Sequence, residues 1–329
     1  MLTACLDSLA TQHDPPSFEV LVAGDLDHEV EVVVGGRFPL AAVAQMSDEH
    51  QRPLAPSDKR NELVARAQGE LLLFLDDDVV CHPELLRRLT DLATLHPDEA
   101  VFGGPNVTPP GRSLVQVVQG AVLGSIVAAG PVRKRWGRHP EGNADDRYFT
   151  LCNMAVRRAA MVPFPLGLRT GEEIAVLNEL HRRGHRMRYH PDLLVFHERR
   201  PTVAAFARQI FNYGRGRGRI VRADPRSLRP HHVAPILLVA YLAALPVLGA
   251  VYPIAVLPLV VYTAAVLTQA AKIGLTIRRH RPGAARATAL AARLTVIVHV
   301  WYAVGIVAGL IGPRPPARRS TASWSDGRT

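Results

Sequence analysis

The sequence predicts an α/β domain followed by membrane-crossing helices, and three observations carry that prediction. Residues 1–200 alternate short apolar and polar runs, as strands and one-sided helices of a water-soluble domain do. Residues 233–275 and 290–312 hold very few charges over lengths that suit a bilayer. Within the first part, the apolar run Leu71–Leu75 reads as a strand buried on both faces and ends abruptly in Asp76, Asp77 and Asp78.

The elements follow in order. Leu2, Leu6 and Leu9 are spaced for one face of a short helix, which Asp14-Pro15-Pro16 stops. Phe18–Ala23 and Glu31–Val34 read as strands, and Ser57–Ala67 as a helix capped by Ser57 or Asp58. After the Leu71–Leu75 strand, Pro83–Leu95 is a helix with proline in its first turn, where a missing N–H costs little. Glu99–Gly103 is a further strand. Strands alternating with helices imply a largely parallel sheet, with its ligand crevice at the strands' carboxyl ends. Later, Ile174–Arg183 is a helix that Gly184 terminates.

Charge and cysteine usage narrow the class. The chain of 329 residues carries a formal net charge of +10. Nine arginines and one acid, Asp224, lie between Arg199 and Arg229, just before the first long apolar run. No nucleic-acid recognition motif accompanies this patch, so nucleic acid is not an expected partner. A basic stretch beside a span is instead a topology signal and an attraction for anionic lipid. Cys5, Cys81 and Cys152 are odd in number and far apart, and read as free thiols in a reducing compartment. The amphipathic start lacks the charged region of a cleavable signal.

Three adjacent carboxylates repel one another, so a fold that holds them at a strand end needs a cation. Asp76 and Asp78, two apart, point to one side of an extended chain and Asp77 to the other. Such oxygen ligands suit Mg²⁺ or Mn²⁺ bridging a diphosphate. A solvated acidic turn is the other reading of the same residues.

Further motifs give the triple Asp a context. They are Lys59-Arg60-Asn61, Gly69-Glu70, Leu71–Val79, Gly103-Gly104, Cys152-Asn153-Met154-Ala155 with Arg157-Arg158, and Gly171-Glu172-Glu173. Gly184, Tyr189, Pro191, His197, Arg208-Gln209 and Tyr213-Gly214-Arg215 complete the series. In order and spacing they resemble the family 2 glycosyltransferases, inverting enzymes of the GT-A fold. The membrane-attached members that build bacterial exopolysaccharides and glycolipids are the more similar group. The resemblance spans roughly residues 1–312.

The resemblance implies roles. Glu173 stands where the family places the general base of a Glu-Asp pair, with Glu172 beside it as the second catalytic acid. A helix N-terminus that simply favours acids is the other reading. Asp25, Arg60, Asp76 and Asp77 would contact a nucleotide-diphosphate sugar. Asp76, Asp78 and His197 would hold Mn²⁺ or Mg²⁺. Gly104, Asn153, Gln209, Tyr213 and Arg215 would face the acceptor. One departure stands out: the family opens with a strand absent from the start of this chain, and Ala23 occupies the place of a base-binding Asp, with Asp25 and Asp27 slightly later. A missed upstream start is the favoured explanation, because a sheet without its central strand leaves backbone groups unpaired.

The expected organisation is a GT-A domain over residues 1–200 and a basic amphipathic interface segment over 201–232. Spans follow at 233–252, 253–275 and 290–312, then a disordered tail over 313–329. The third span, which contains Arg293 and His299, could lie flat or re-enter. The expected protein is a multi-pass plasma-membrane enzyme with a cytoplasmic catalytic domain, transferring sugar to a lipid-linked saccharide. Transfer directly to a polyprenyl phosphate and a catalytically dead membrane scaffold are the rival expectations.

Overall fold

The computed structural model describes residues 1–24, 42–45, 54–166, 171–279 and 283–312. The expected strand over 31–34, the tail over 313–329, and Asp25, Asp27 and Arg281 lie outside these residues.

Helix α1 (Leu2–Ala10) buries Cys5, Leu6 and Leu9, one helical face, against the strand β4 (Val79–Cys81). Strand β1 (Leu21–Gly24) pairs in parallel with β2 (Ala42–Gln45), a strand that alternation of apolar and polar residues did not predict. Helix α2 (Pro56–Arg66) starts at Pro56 with Ala55 as its N-cap. Neither Ser57 nor Asp58 caps it: both lie inside the first turn, because proline takes the N1 position.

The main sheet has five strands in the order β3 (Leu71–Phe74), β8 (Met154–Arg157), β5 (Glu99–Gly103), β9 (Arg186–Tyr189) and β7 (Gly142–Asn143). It is mixed rather than largely parallel. Strand β8 runs antiparallel to both β3 and β5, and only β5 and β9 are parallel. The expectation failed because β8 arrives by a long connection and inserts, antiparallel, between two strands that come well before it in sequence, β3 and β5. A three-stranded sheet, β4–β10–β6, joins β4, β6 (Asn106–Val107) and β10 (Val195–His197). Phe102, Phe149, Phe164, Met154 and Tyr189 are fully buried in this domain. Each full aromatic or aliphatic burial stabilises by about 1.5–3 kcal/mol.

Helix α3 is Leu85–Leu95, two residues shorter than expected at its start. Helices α4 (Leu114–Leu123) and α5 (Ile126–Ala129) follow, and α5 runs into a 3₁₀ turn over Gly130–Arg135. The two segments meet at 64° and together are apolar enough to form a broken span. Helix α6 is Glu172–Arg182 and closes in a Schellman arrangement at Gly184, whose φ is +81°. There the Gly184 N–H donates to His181 O and the His185 N–H to Leu180 O.

Helix α7 (Val203–Ala223) carries the basic stretch, and α8 (Pro230–Val251), α9 (Leu257–Arg278) and α10 (Ala284–Ile311) follow. Among the described residues, three helices are long and apolar enough to cross a membrane: α8, α9 with its preceding 3₁₀ turn, and α10. Helix α10 is continuous over 28 residues, starting six residues before the expected third span. It packs along α7 and α9.

Glycine sets how closely α7 and α10 approach. A Cβ on Gly214 would lie 2.2 Å from Tyr302 O, and one on Gly218 2.2 Å from Ile306 O. In return, Gly305 abuts Phe211 O and Gly309 abuts Arg215 O. These are two facing Gly-xxx-Gly pairs, the spacing that lets helix backbones touch. Phe206 and Ile210 are therefore packed inside the protein, and Phe211 stacks edge-on against Trp301 at 6.3 Å.

Candidate active site

Strand β3 delivers the acidic run to one end of a cavity of about 590 Å³. Asp76 enters the wall beside Arg60 from α2, Glu172 and Glu173 from α6, Cys152 and His197. Arg60 Nη1 donates to Glu172 Oε1, and its Nη2 lies 3.5 Å from Asp76 Oδ1. One guanidinium thus bridges the strand's acid and the helix's acid. Gly171, at φ +79°, makes the left-handed turn that sets α6's first two residues at the cavity.

The two glutamates differ. Glu172 is buried and paired with Arg60, and burial followed by the neighbouring Glu173 charge raises its pKa. Glu173 lines the cavity and makes no hydrogen bond or ion pair among the described residues. The arrangement leaves Glu173 as the acid free to accept a proton from something in the cavity.

Asp78 lies behind this wall. His197 Nε2 is 3.0 Å from Asp78 Oδ1 but off the hydrogen-bonding direction, so this buried oxygen has no hydrogen-bond partner. Burial works against the Asp78 carboxylate, yet the His197 contact and the His197 and Arg200 charges outweigh it and hold the carboxyl low. At Asp76 the balance reverses: burial, helped by Asp78 and Glu173, raises the pKa against Arg60 and His197. Its side chain is 38% exposed, and that surface faces the cavity. The Cys152 thiol is buried and pushed up to about 12, chiefly by burial and then by Asp76.

These donors fit a divalent cation. Oxygen, imidazole nitrogen and sulfur of Asp76, His197 and Cys152 lie within 4.8 Å of one another. Two of the three, with the unpartnered Asp78 oxygen behind them, are ligands of the kind Mn²⁺ and Mg²⁺ take. The protonated thiol is the poorest of the set. Arg199 Nη1 is 3.3 Å from His197 Nδ1, while Nη2 donates to Asn106 O at 2.6 Å.

Of the residues singled out from sequence, the cavity gathers Arg60, Asp76, Glu172, Glu173, His197 and Tyr213. Gln209 stands just outside, its Nε2 donating to Tyr213 OH at 3.0 Å. Asp77 is exposed and does not line the cavity; with Asp78 it forms a turn, the Val79 N–H donating to Asp76 O at 3.4 Å, rather than the extended chain that alternation assumed. Arg215 is exposed on the other side of α7. Gly104 and Asn153 are packing residues away from the cavity wall. A Cβ on Gly104 would lie 2.0 Å from Leu193 O, and the buried Asn153 amide donates to the same carbonyl at 2.7 Å. Asp25 lies outside the described residues.

Sequence reading missed Cys152 as a wall residue and Arg217 on α7. A helical signal for Arg217 existed: Ile210, Tyr213 and Arg217 follow the three- and four-residue spacing of one helix face. Much of the remaining wall is apolar and comes from the helical region, including Leu123, Ile126, Leu238, Val298 and Tyr302, with Arg135, His231, His232 and His299 among its polar members.

Carboxylates at a strand end, a free acid on a helix start and a mixed sheet form a site suited to metal and acid–base chemistry at a crevice of an α/β enzyme. The family model "Glycosyltransferase like family 2" matches residues 1–216. The chain belongs to that family and is a glycosyltransferase. No curated protein matches it. Among solved structures, the mannosyltransferase PcManGT from Pyrobaculum calidifontis, in complex with GDP-Man and Mn²⁺, is similar over 93% of this chain and 82% of its own. The TM-score is 0.57 and the identity 16%. S. aureus TarS residues 1–349 in complex with UDP matches 91% of this chain and 85% of its own, at 18% identity and TM-score 0.43. A mycobacterial protein matches 67% of this chain and 70% of its own, at 18% identity and TM-score 0.44.

Proposed function

We propose that this chain is a membrane-bound, inverting glycosyltransferase that moves a sugar from a nucleotide-diphosphate donor to a lipid-linked glycan or glycolipid. The observation that carries the reading is a single cavity with Asp76 and Glu173 at one end and apolar residues of the helical region along its wall. A purely water-soluble acceptor gives no reason for that wall. An acceptor with a hydrocarbon tail does.

Glu173 takes the proton from the acceptor hydroxyl as its oxygen attacks the anomeric carbon from the face opposite the nucleotide. Arg60, fixed by Glu172, carries positive charge to the side where the diphosphate departs. Asp76, Asp78 and His197 are the residues that would hold Mn²⁺ or Mg²⁺. When bound, such an ion supplies charge neutralisation for the leaving diphosphate. The mannosyltransferase neighbour, solved with GDP-Man and Mn²⁺, supports this donor class.

The basic α7 stretch and Arg278–Arg279 flank the first two apolar helices, which by the charge rule sets the sheet domain on the cytoplasmic side of the plasma membrane. The test is thermal stability of the full chain in detergent against UDP, GDP and dTDP, with and without Mn²⁺. A nucleotide that binds the folded state raises the melting temperature by mass action. A Mn²⁺-dependent rise with one nucleotide, lost in Asp78→Ala, is the expected result. No rise with any nucleotide would favour the dead-scaffold reading.

A further inference from the structure

We infer that Arg217 is the binding residue for the phosphate or diphosphate headgroup of a lipid seated in the cavity. Arg217 is only 6% exposed, and its side chain lines the cavity. Its Nε has no hydrogen-bond partner, and among the described residues Arg217 forms no ion pair. A guanidinium cannot discharge itself by losing its proton, so burial without a partner is costly.

The neighbouring cations are already committed. Arg229 Nη2 donates to Asp146 Oδ1 at 2.5 Å, and Arg147 Nε to both Asp145 oxygens at 2.9 and 2.8 Å. Arg135 donates to the carbonyls of Arg147 and Asp146. Arg199 is held by Asn106. Arg217 alone among these is left facing the cavity with its charge unanswered.

The surroundings specify the rest of the ligand. His231, in the first turn of α8, lines the same cavity and lies within electrostatic reach of Arg217. The start of a 22-residue helix favours an anion there. Leu238, Val298 and Tyr302 continue the wall without charge. An anionic head with a hydrocarbon tail satisfies both halves; a free anion satisfies one. Tyr213 and Arg217 are four residues apart on α7, about 6 Å of helix rise. The headgroup therefore sits one turn from the residue that borders the carboxylate end. Glycine packing of α7 on α10 fixes the rotation that points Arg217 inward and Arg215 outward.

The inference rests on the acceptor reading above, and the experiment separates the two. The full chain, in nanodiscs of neutral phosphatidylcholine without divalent metal, is titrated with farnesyl phosphate, farnesol and inorganic pyrophosphate. Melting temperature is recorded for wild type, Arg217→Gln and Arg217→Lys. The expected result is tighter binding of farnesyl phosphate than of either other probe. Arg217→Gln lowers that affinity at least tenfold, and Arg217→Lys falls between. Without ligand, Arg217→Gln melts at or above the wild-type temperature, since no lone charge is buried. Wild-type affinity for farnesyl phosphate in Arg217→Gln overturns the proposal. So does an equal, Arg217-dependent response to pyrophosphate, which would assign the site to a soluble anion. Marked destabilisation of both unliganded variants makes Arg217 a packing residue and also overturns it. The nucleotide series with Mn²⁺ runs on the same samples. A missing nucleotide response beside an intact, Arg217-dependent phosphate response defeats the transferase reading and leaves the anion site standing.

Discussion

The sheet domain and the helical region solve the burial problem with different residues. The first is filled by large side chains, with Phe102, Phe149, Phe164 and Tyr189 fully buried between strands and helices. The second adds small ones to large ones: Ala270, Ala287 and Ala291 are fully buried beside Phe206 and Leu294, and Gly214, Gly218, Gly305 and Gly309 bring backbones into contact. In water, large apolar area removed from solvent drives packing. In lipid that drive is absent between helices, and close van der Waals contact replaces it. The cavity is lined from both regions: its acidic residues come from the strand end at Asp76 and the helix start at Glu172 and Glu173, and much of its apolar wall comes from the helical region.

The largest expected effect tests the polar end alone. Glu173→Gln lowers kcat by about 10²–10⁴-fold, the range for loss of a positioned general base. Nucleotide binding persists, measured by the same thermal shift. Equal loss of binding and turnover would make Glu173 a structural acid.

Next comes the large-residue core. Phe102→Ala removes a fully buried ring on β5, the strand between β8 and β9, and costs about 3–5 kcal/mol, read from denaturant unfolding of the purified chain. The opposite change breaks the small-residue core. Gly305→Leu places side-chain atoms where a Cβ already lies 2.3 Å from Phe211 O, at about 1–3 kcal/mol for such overpacking. Its signature is faster trypsin cleavage at the α7 arginines with the sheet domain still protected. If Gly305→Leu leaves α7 protected, the contrast drawn between the two regions fails.

The smallest effect is a pH dependence. Glu172 has a raised folded pKa, so the fold holds its proton more tightly than the unfolded chain does. That contribution to stability is fully present below the unfolded value of 4.5 and is lost as pH rises through the folded value. Glu172→Gln removes this slope. Melting curves across that window in metal-free buffer should be flatter for the variant, and an unchanged slope would show that another group carries it.

Much of this was legible from local pattern. The β3 strand with its acidic end, the glutamate pair opening α6, the Gly184 terminus and the three apolar helices each depend on a short stretch of chain, where periodicity and composition decide. The rest depended on distance in space. Alternation along an extended chain puts Asp76 and Asp78 on one side, but the chain turns at Asp77 and Asp78 and sets Asp78 against His197. The sheet is mixed because β8 returns from eighty residues beyond β3 to pair with it, and no local signal gives strand direction. Gly104 and Asn153 look like ligand contacts in sequence and are packing residues, because only the fold brings Leu193 against them.

By itself, then, the sequence determined which segments form strands, helices and apolar spans, and where the chemistry-bearing acids fall along them. Those properties follow from side-chain spacing over a few turns. The tertiary structure decided which side of each element faces the cavity. Helix α7 has arginines on several faces, and its charge pattern fits more than one rotation. The Gly214–Gly218 contact with Gly305–Gly309 admits only the rotation that turns Arg217 in and Arg215 out, because any other would drive a Cβ into a backbone carbonyl.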